Sequence, residues 1–321
     1  MIVTVAIPCY KSKKTIGTVV SDVRTAILQR PGNDYRIILV NDYPGDGTFD
    51  VIRRLCAEDE KIIGVDLTKN FGQASAKLAA LRYFDGDVLV YMDDDGQHPA
   101  DEIYKLVDKV FEGYDVVYGY FRHKKHSIFK RAASSLNSLL SEFNGSKPKG
   151  IRISSFLAIS KTAADALREY DSPFPSIGGY LNNVVDKYAN VEVTHKERIE
   201  GRSNYTFGKL IRMWFTGFTN FSLMPIKCVL YLGMLVSVLG FIFGLIVIVR
   251  KLIDPSMMPG YASTTALILF FSGIIMFSLG FIGEYVGRIY MTVSRMQQYK
   301  IRETINCKKS GRCKEEAGNE Q

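Results

Sequence analysis

Three consecutive carboxylates, Asp93-Asp94-Asp95, follow the apolar run Val88 to Met92 and lead into Gly96-Gln97-His98-Pro99. Side chains alternate in an extended segment, so Asp93 and Asp95 can face one cavity. Carboxylate oxygens suit a hard divalent cation, and a cation held this way also binds a diphosphate. The chemistry this suggests is that of nucleotide sugars. A solvated acidic turn ahead of a helix would read the same way, so the surrounding elements must separate the two.

From residue 2 to about 120, short β-rich runs alternate with helical stretches. Ile2 to Ile7, Tyr35 to Val40, Ile62 to Leu67, Val88 to Met92 and Val116 to Tyr118 read as strands. This βαβ series implies a mainly parallel sheet with flanking helices, an α/β fold. Such sheets bind ligands at the carboxyl ends of their strands. Pro8 and Tyr10, Asn41 and Asp42, Lys69 and Asn70, and Asp93 to Gln97 all fall there. A second block, Arg122 to about Tyr205, is less regular. A helix is expected over Ser127 to Phe143 and an extended piece over Val191 to Arg198, and the block reads as the acceptor half of a site.

The C-terminal third differs. Cys228 to Val249 and Ala262 to Gly283 are uncharged runs of 22 residues each, and each would span ~33 Å as a helix, enough to cross a bilayer core. Two buried core helices are the alternative, but helices apolar on every face are hard to place in a soluble domain. Ile2 to Ile7 is too short for a signal peptide and stops at Pro8. Lys209, Arg212 and Lys227 precede the first run and Arg288, Arg295, Lys300 and Arg302 follow the second, whereas only Arg250 and Lys251 lie between. That bias puts both termini in the cytoplasm. Thr206 to Phe221 sets Phe207, Leu210, Ile211, Trp214, Phe215 and Phe218 against Lys209 and Arg212, which reads as a helix lying on a membrane surface; a core-facing amphipathic helix has the same pattern, but the place just before a span favours the surface. Asn306 to Gln321 has no apolar period and is expected to be disordered.

With 321 residues, 47% apolar and 12% aromatic, the chain is neither small nor disordered. Its net charge of +8 sits near the apolar runs and in Arg122 to Arg131, where lipid headgroups and phosphorylated substrates explain it better than nucleic acid. Five scattered cysteines without a C-x-x-C suit a reducing compartment. Gly233, Ser237, Gly240 and Gly244 would let spans pack closely as a dimer or tetramer, although small residues are common in spans generally.

Taken in order, Ile7-Pro8-Cys9-Tyr10, Val40-Asn41-Asp42, Asn70-Phe71-Gly72-Gln73, Asp93 to Pro99, Arg198 to Tyr205, and Gly283-Glu284-Tyr285 with Gly287-Arg288-Ile289-Tyr290 form a series. On these residues the chain resembles, from Val3 to about Arg302, the membrane-anchored family 2 glycosyltransferases that load a sugar onto a polyprenyl phosphate. The resemblance implies a GT-A-like cytoplasmic domain over 1–205, an amphipathic interfacial region over 206–226, a transmembrane hairpin over 227–288 and a cytoplasmic basic tail over 289–321. The protein would then sit in the inner membrane. Pro8, Tyr10 and Asp42 would line the nucleotide base. Asp93 would contact nucleotide and metal, with Asp94 beside it in the nucleotide-sugar site. Asp95 and Gln97 would hold Mg²⁺ or Mn²⁺ against the diphosphate, and Arg198 would close over it. Arg122, Arg131 and Ser135 would take the acceptor phosphate, Arg131 among the catalytic residues, although a solvated helix charge explains Arg131 too.

A phosphate monoester has a second pKa near ~6, so the acceptor oxygen is already anionic at neutral pH and needs no strong base. His98 reads as a loop residue more readily than as a general base. The resemblance implies an inverting reaction, and a UDP donor with an undecaprenyl carrier is the first expectation. The chain departs from the family in having Lys11-Ser12 where Asn-Glu is usual, Gly96 where Leu is usual, and Leu157 where Arg is common. Two other readings stand beside this one. A processive polysaccharide synthase would need a pore and a Q-x-x-R-W motif, both absent. A membrane-tethered nucleotide-sugar-binding scaffold would bind without turnover.

Overall fold

β1 (Ile2–Cys9) is buried from Val3 to Cys9, as a strand covered on both faces should be. In the computed structural model, which describes residues 1–43, 45–121, 148, 150–194, 224–253, 260–294 and 296–307, β1 pairs in parallel with β2 (Asp34–Asn41) and with β4 (Val88–Tyr91). β2 pairs in parallel with β3 (Ile62–Leu67). β5 (Val116–Phe121) and β7 (Tyr188–Val193) are parallel to each other, and β6 (Leu157–Ser160) runs antiparallel between β4 and β5. The order is β7-β5-β6-β4-β1-β2-β3-β8, where β8 is Ile301–Ile305. Each strand of the sequence reading is present, and the sheet is mixed rather than purely parallel.

Two apolar layers sandwich the sheet. Val3, Val5 and Ile7 face one cluster with α1 (Ile16–Leu28), α2 (Thr48–Glu58) and α4 (Ile103–Phe111). Ala6, Ile38 and Val40 face the other, with α3 (Gln73–Leu81), α5 (Lys161–Arg168) and α6 (Ile177–Val184). α1 buries Ile16, Val19, Val20, Val23 and Ile27, a stripe at helical spacing. α3 is short and alanine-rich, with Ala76, Ala79 and Ala80 fully buried; side chains this small bring its backbone close to the strands.

The chain divides into two compact units, Met1–Lys209 with Gln297–Gln321, and Leu210–Met296. The second holds α7 (Met224–Ile253) and α8 (Tyr261–Val293), whose bounds contain the uncharged runs 228–249 and 262–283. Phe270–Val293 is long and apolar enough to cross a membrane. Leu235, Leu239, Ile242 and Phe243 of α7 are exposed, as are Ile268, Phe270, Ile275 and Met276 of α8. Near the end of α8, Arg288 donates to Glu284 at 2.9 Å, one turn away, so the motif's two opposite charges pair. The expected helix over 127–143, the amphipathic stretch 206–221, residues 195–198 and the tail from 308 onward lie outside the described residues.

One expectation is corrected. The region 289–321 is not simply a tail, because β8 (Ile301–Ile305) pairs antiparallel with β3 and closes that edge of the sheet. Arg302 explains the docking: its guanidinium lies 3.4 Å from Asp66 and donates to the Thr68 carbonyl at 2.9 Å. Asn306, in a left-handed conformation (φ 58°), directs its amide at the carbonyls of Cys56 (2.6 Å), Ile62 (3.0 Å) and Asp59 (3.3 Å). Replacing Asn306 with Ala removes these donors and puts a less tolerant residue at positive φ. Asn306→Ala is expected to lower the unfolding free energy by about 1–2 kcal/mol. Urea unfolding of the purified full chain checks this, and an unchanged midpoint would mean that β8 adds no stability through this residue.

Candidate active site

The acidic loop after β4 gives its three carboxylates to three different neighbours. Asp94 turns toward the end of β1, where it accepts the Tyr10 N–H at 2.8 Å and the Ser12 hydroxyl. Burial pushes its carboxyl up to about 6; the Ser12 and Tyr10 hydrogen bonds oppose the shift and the Asp93 charge adds to it. Asp93 accepts Gln73 Nε2 on one oxygen and Ser155 Oγ on the other, each at 2.6 Å. Asp95 accepts the Gln97 N–H at 3.1 Å across a turn in which Gly96 holds φ +74°. That φ favours glycine, which gives the departure from the usual Leu a local reason.

His98 is buried and stacks on Phe156 at 4.9 Å. Its Nδ1 accepts the Asp93 N–H at 2.9 Å, which assigns the proton to Nε2, 3.3 Å from Ser155 Oγ and 3.6 Å from Asp93. With its acceptor nitrogen committed to the backbone, His98 shapes the loop and is not placed as a general base.

Asp42, at the end of β2, is buried. Its two oxygens accept the N–H groups of Phe71 (2.7 Å) and Gly72 (2.9 Å), which oppose the upward push of burial on its carboxyl. The expected reader of the base is thus first a clamp on the loop after β3. Gly72 has φ +92° and ψ 159°, a conformation open to glycine alone, and it opens α3 so that Gln73 reaches Asp93. Pro8 is buried inside β1 opposite Val40. Tyr10 is 41% exposed and meets Tyr43 edge to face at 5.2 Å. Lys11, in a left-handed conformation (φ 59°), holds Nζ 5.5 Å from the Tyr10 ring and 4.8 Å from that of Tyr43.

Arg122, Arg131, Ser135 and Arg198 lie outside the described residues. Conversely, Ser12, Gln73, Lys77 and Ser155 enter the site without having been singled out for a role. Lys77 follows Gln73 by one helical turn, is buried, and donates to the Ser155 carbonyl at 3.2 Å. Two polar residues four apart in an otherwise small and apolar helix were the available signal.

Among the described residues no three His, Cys, Asp or Glu side chains converge into a self-sufficient metal site. Asp95 and Gln97 offer one carboxylate and one amide oxygen on a partly exposed turn. Hard oxygen donors in this number fit Mg²⁺ or Mn²⁺ when phosphate oxygens and water complete the coordination.

The family described as Glycosyl transferase family 2 matches residues 4–168, and the GtrB C-terminal hairpin family matches 224–289. An uncharacterized glycosyltransferase of Bacillus subtilis (strain 168), YkcC, is 31% identical over 291 residues, 89% of each chain. The undecaprenyl-phosphate 4-deoxy-4-formamido-L-arabinose transferase of Proteus mirabilis (strain HI4320) is 29% identical over 318 residues, 98% of this chain and 97% of that one. Glucosyl-3-phosphoglycerate synthase from Mycobacterium tuberculosis, crystallised with Mn²⁺, UDP and phosphoglyceric acid, aligns at 17% identity and a TM-score of 0.47 over 66% of this chain and 74% of that one, too loosely to carry an argument about donor or metal.

The Asp94 environment gives a pH test. Its carboxyl is raised from an ordinary 3.8 to about 6, so the folded chain holds that proton more tightly than the unfolded chain. Stability from this group therefore grows as pH falls from 7 through 6 and levels off near 4. Asp94→Asn keeps an acceptor for the Tyr10 N–H and removes the titration. The difference in unfolding free energy between wild type and variant should change by on the order of 2 kcal/mol between pH 7.5 and pH 4.5. Parallel pH profiles from urea melts would show that Asp94 is not held in this way.

Proposed function

The chain belongs to glycosyl transferase family 2, and we propose that this glycosyltransferase moves a sugar from a nucleoside-diphosphate donor, UDP-linked in the first instance, to undecaprenyl phosphate at the cytoplasmic face of the inner membrane. The observation that carries the reading is the acidic loop after β4, braced by Gln73, Ser155 and Ser12, in a chain that continues into the hairpin-matched region 224–289. The named activity of the Proteus mirabilis relative, matched over nearly both full lengths, supports a polyprenyl-phosphate acceptor. The apolar surfaces of α7 and α8 support two spans; the amphipathic sequence of 206–226 assigns it to the interface, and the lysine and arginine bias around the two runs assigns both termini to the cytoplasm.

In this reading an anionic oxygen of the lipid phosphate attacks the anomeric carbon. The bond from that carbon to the diphosphate oxygen breaks on the opposite face, and the nucleoside diphosphate departs with the electron pair, which inverts the centre. The acceptor oxygen is already deprotonated near neutral pH, consistent with a His98 whose acceptor nitrogen is committed elsewhere. Tyr10 offers an exposed ring edge to the base. Asp93, fixed by Gln73 and Ser155, orients the nucleotide sugar, while Asp95 and Gln97 would hold Mg²⁺ or Mn²⁺. When bound, the cation neutralises charge on the leaving diphosphate. Arg198 closes over that diphosphate, and Arg122, Arg131 and Ser135 take the lipid phosphate.

The test incubates detergent-purified protein with undecaprenyl phosphate, Mg²⁺ or Mn²⁺ and a panel of UDP- and GDP-sugars, scoring sugar in the lipid extract. Wild type should transfer one donor sugar and Asp95→Ala should lose at least ~100-fold, the scale of removing a dominant electrostatic contributor. Nucleotide binding without lipid product from any donor would replace this reading with a binding scaffold.

A further inference from the structure

β8 does not meet β3 in a regular ladder. Gly64, Val65 and Asp66 lie opposite Ile305, Thr304 and Glu303 in turn, but Leu67 lies opposite Ile301, so Arg302 is an extra residue with no partner across the pair. A bulge of this kind re-aims the side chain it frees. Here the guanidinium reaches two groups at the end of the neighbouring strand, the Asp66 carboxylate at 3.4 Å and the Thr68 carbonyl at 2.9 Å. The Thr68 N–H in turn donates to the Lys300 carbonyl at 2.9 Å. Both backbone polar groups of the first residue after β3 are thus taken by the segment 300–302.

Thr68 opens the loop that leads to the acidic triplet. Within it the Phe71 and Gly72 N–H groups sit on Asp42, and the next residue, Gln73, donates to Asp93. The second contact of Arg302 runs toward Asp42 as well. Asp66 is buried and accepts Asn41 Nδ2 at 2.7 Å. Asn41 Oδ1 is buried with no hydrogen-bond partner among the described residues, so the Asp66 bond orients that side chain, and Asn41 immediately precedes Asp42. A buried carboxylate that loses its counter-charge is strongly unfavourable. Arg302 therefore bears on the Asp42 clamp from both ends, through Thr68 on the loop and through Asp66 and Asn41 on β2.

We propose that Arg302 is a positioning residue of the donor site: its guanidinium sets the loop 68–72 and thereby the Gln73 amide on Asp93, so that the site is ordered only with β8 docked. The consequence for nucleotide binding rests on the reading of Asp93 as part of the donor site; the effect on the loop does not.

Hydrogen exchange of the detergent-purified full chain, read by mass spectrometry, tests the loop without any ligand. In Arg302→Met, peptides covering 68–73 should exchange about tenfold faster than in wild type, the scale of one lost hydrogen bond to a charged group, while peptides from β1 keep their protection. Arg302→Lys keeps the charge and should stay closer to wild type. Asn306→Ala loosens the far end of β8 without touching Thr68 or Asp66 and should leave 68–73 near wild type. Unchanged exchange in Arg302→Met overturns the proposal, and so does equal acceleration in Asn306→Ala, which would make Arg302 an ordinary anchor of the strand. Calorimetric titration with UDP and with GDP in Mn²⁺ then reads the site. Arg302→Met should bind the nucleotide that wild type prefers about tenfold more weakly, with Arg302→Lys recovering part of the loss. A loosened loop with unchanged nucleotide affinity overturns the positioning role. If wild type binds neither nucleotide, the donor reading itself fails, and exchange over 68–73 alone decides whether Arg302 sets the loop. Should Arg302→Met not fold by circular dichroism, Arg302→Gln takes its place with the same outcomes.

Discussion

Three adjacent carboxylates cannot share one space, and the architecture around β4 follows from how they are kept apart. Two unit charges ~4 Å apart repel by about 4 kcal/mol at a near-surface dielectric, and the triplet stacks three of them at one strand end. Each side chain is instead given its own partners. Asp94 goes to the loop after β1, Asp93 to α3 and Ser155, and Asp95 into its own turn over Gly96. Two of the three are thereby committed to holding distant parts of the chain together. The third stays on the partly exposed turn.

The same constraint explains the polar bracing around the loop. Beyond its last ladder bond, the carboxyl end of a parallel strand has no neighbour to fix it, so side chains must do so. Asp42 clamps Phe71 and Gly72, which sets the start of α3 and so the reach of Gln73 to Asp93. Next to Asp42, Asn41 donates to Asp66 at 2.7 Å, and Asp66 meets Arg302 of β8. A continuous series of bonds thus links the strand after α8 to the acidic loop. β8 belongs to the structure that holds the site, although it is far from β4 in sequence.

The strands and their order of function were legible because a doubly covered parallel sheet writes continuous apolar runs and places its polar residues at strand ends. Ile2 to Ile7 and Val88 to Met92 are such runs. β8 was not legible, since Ile301–Ile305 sets apolar ends around Arg302, Glu303 and Thr304, the composition of an exposed edge, and its pairing with β3 is wholly long-range. Within the site, residue types were readable and partners were not. Asp42 and Asp94 were recognisable as site carboxylates, yet only the structure shows that backbone N–H groups hold them. Lys77 carries no mark of burial in the sequence, because burial depends on which face of α3 meets the sheet.

The departure at Lys11-Ser12 acquires a physical reading from the same geometry. Where the family usually carries a carboxylate after the tyrosine, this chain has a hydroxyl. Ser12 Oγ donates to Asp94, and its N–H to Thr48 at 3.0 Å. The negative group beside this loop thus comes from the neighbouring strand β4 instead of from β1. Lys11 meanwhile swings over Tyr10 and Tyr43, adding a cation to an aromatic pair at the expected base-binding edge. An Asn-Glu loop would bring its own charge to a donor. Here the loop presents a cation and borrows a carboxylate that is buried and already bonded. In the proposed reading, donor selection at this edge rests on the Tyr10 ring, which offers an aromatic contact to the base, and on the Lys11 ammonium, which favours an anionic phosphate over a cationic ligand.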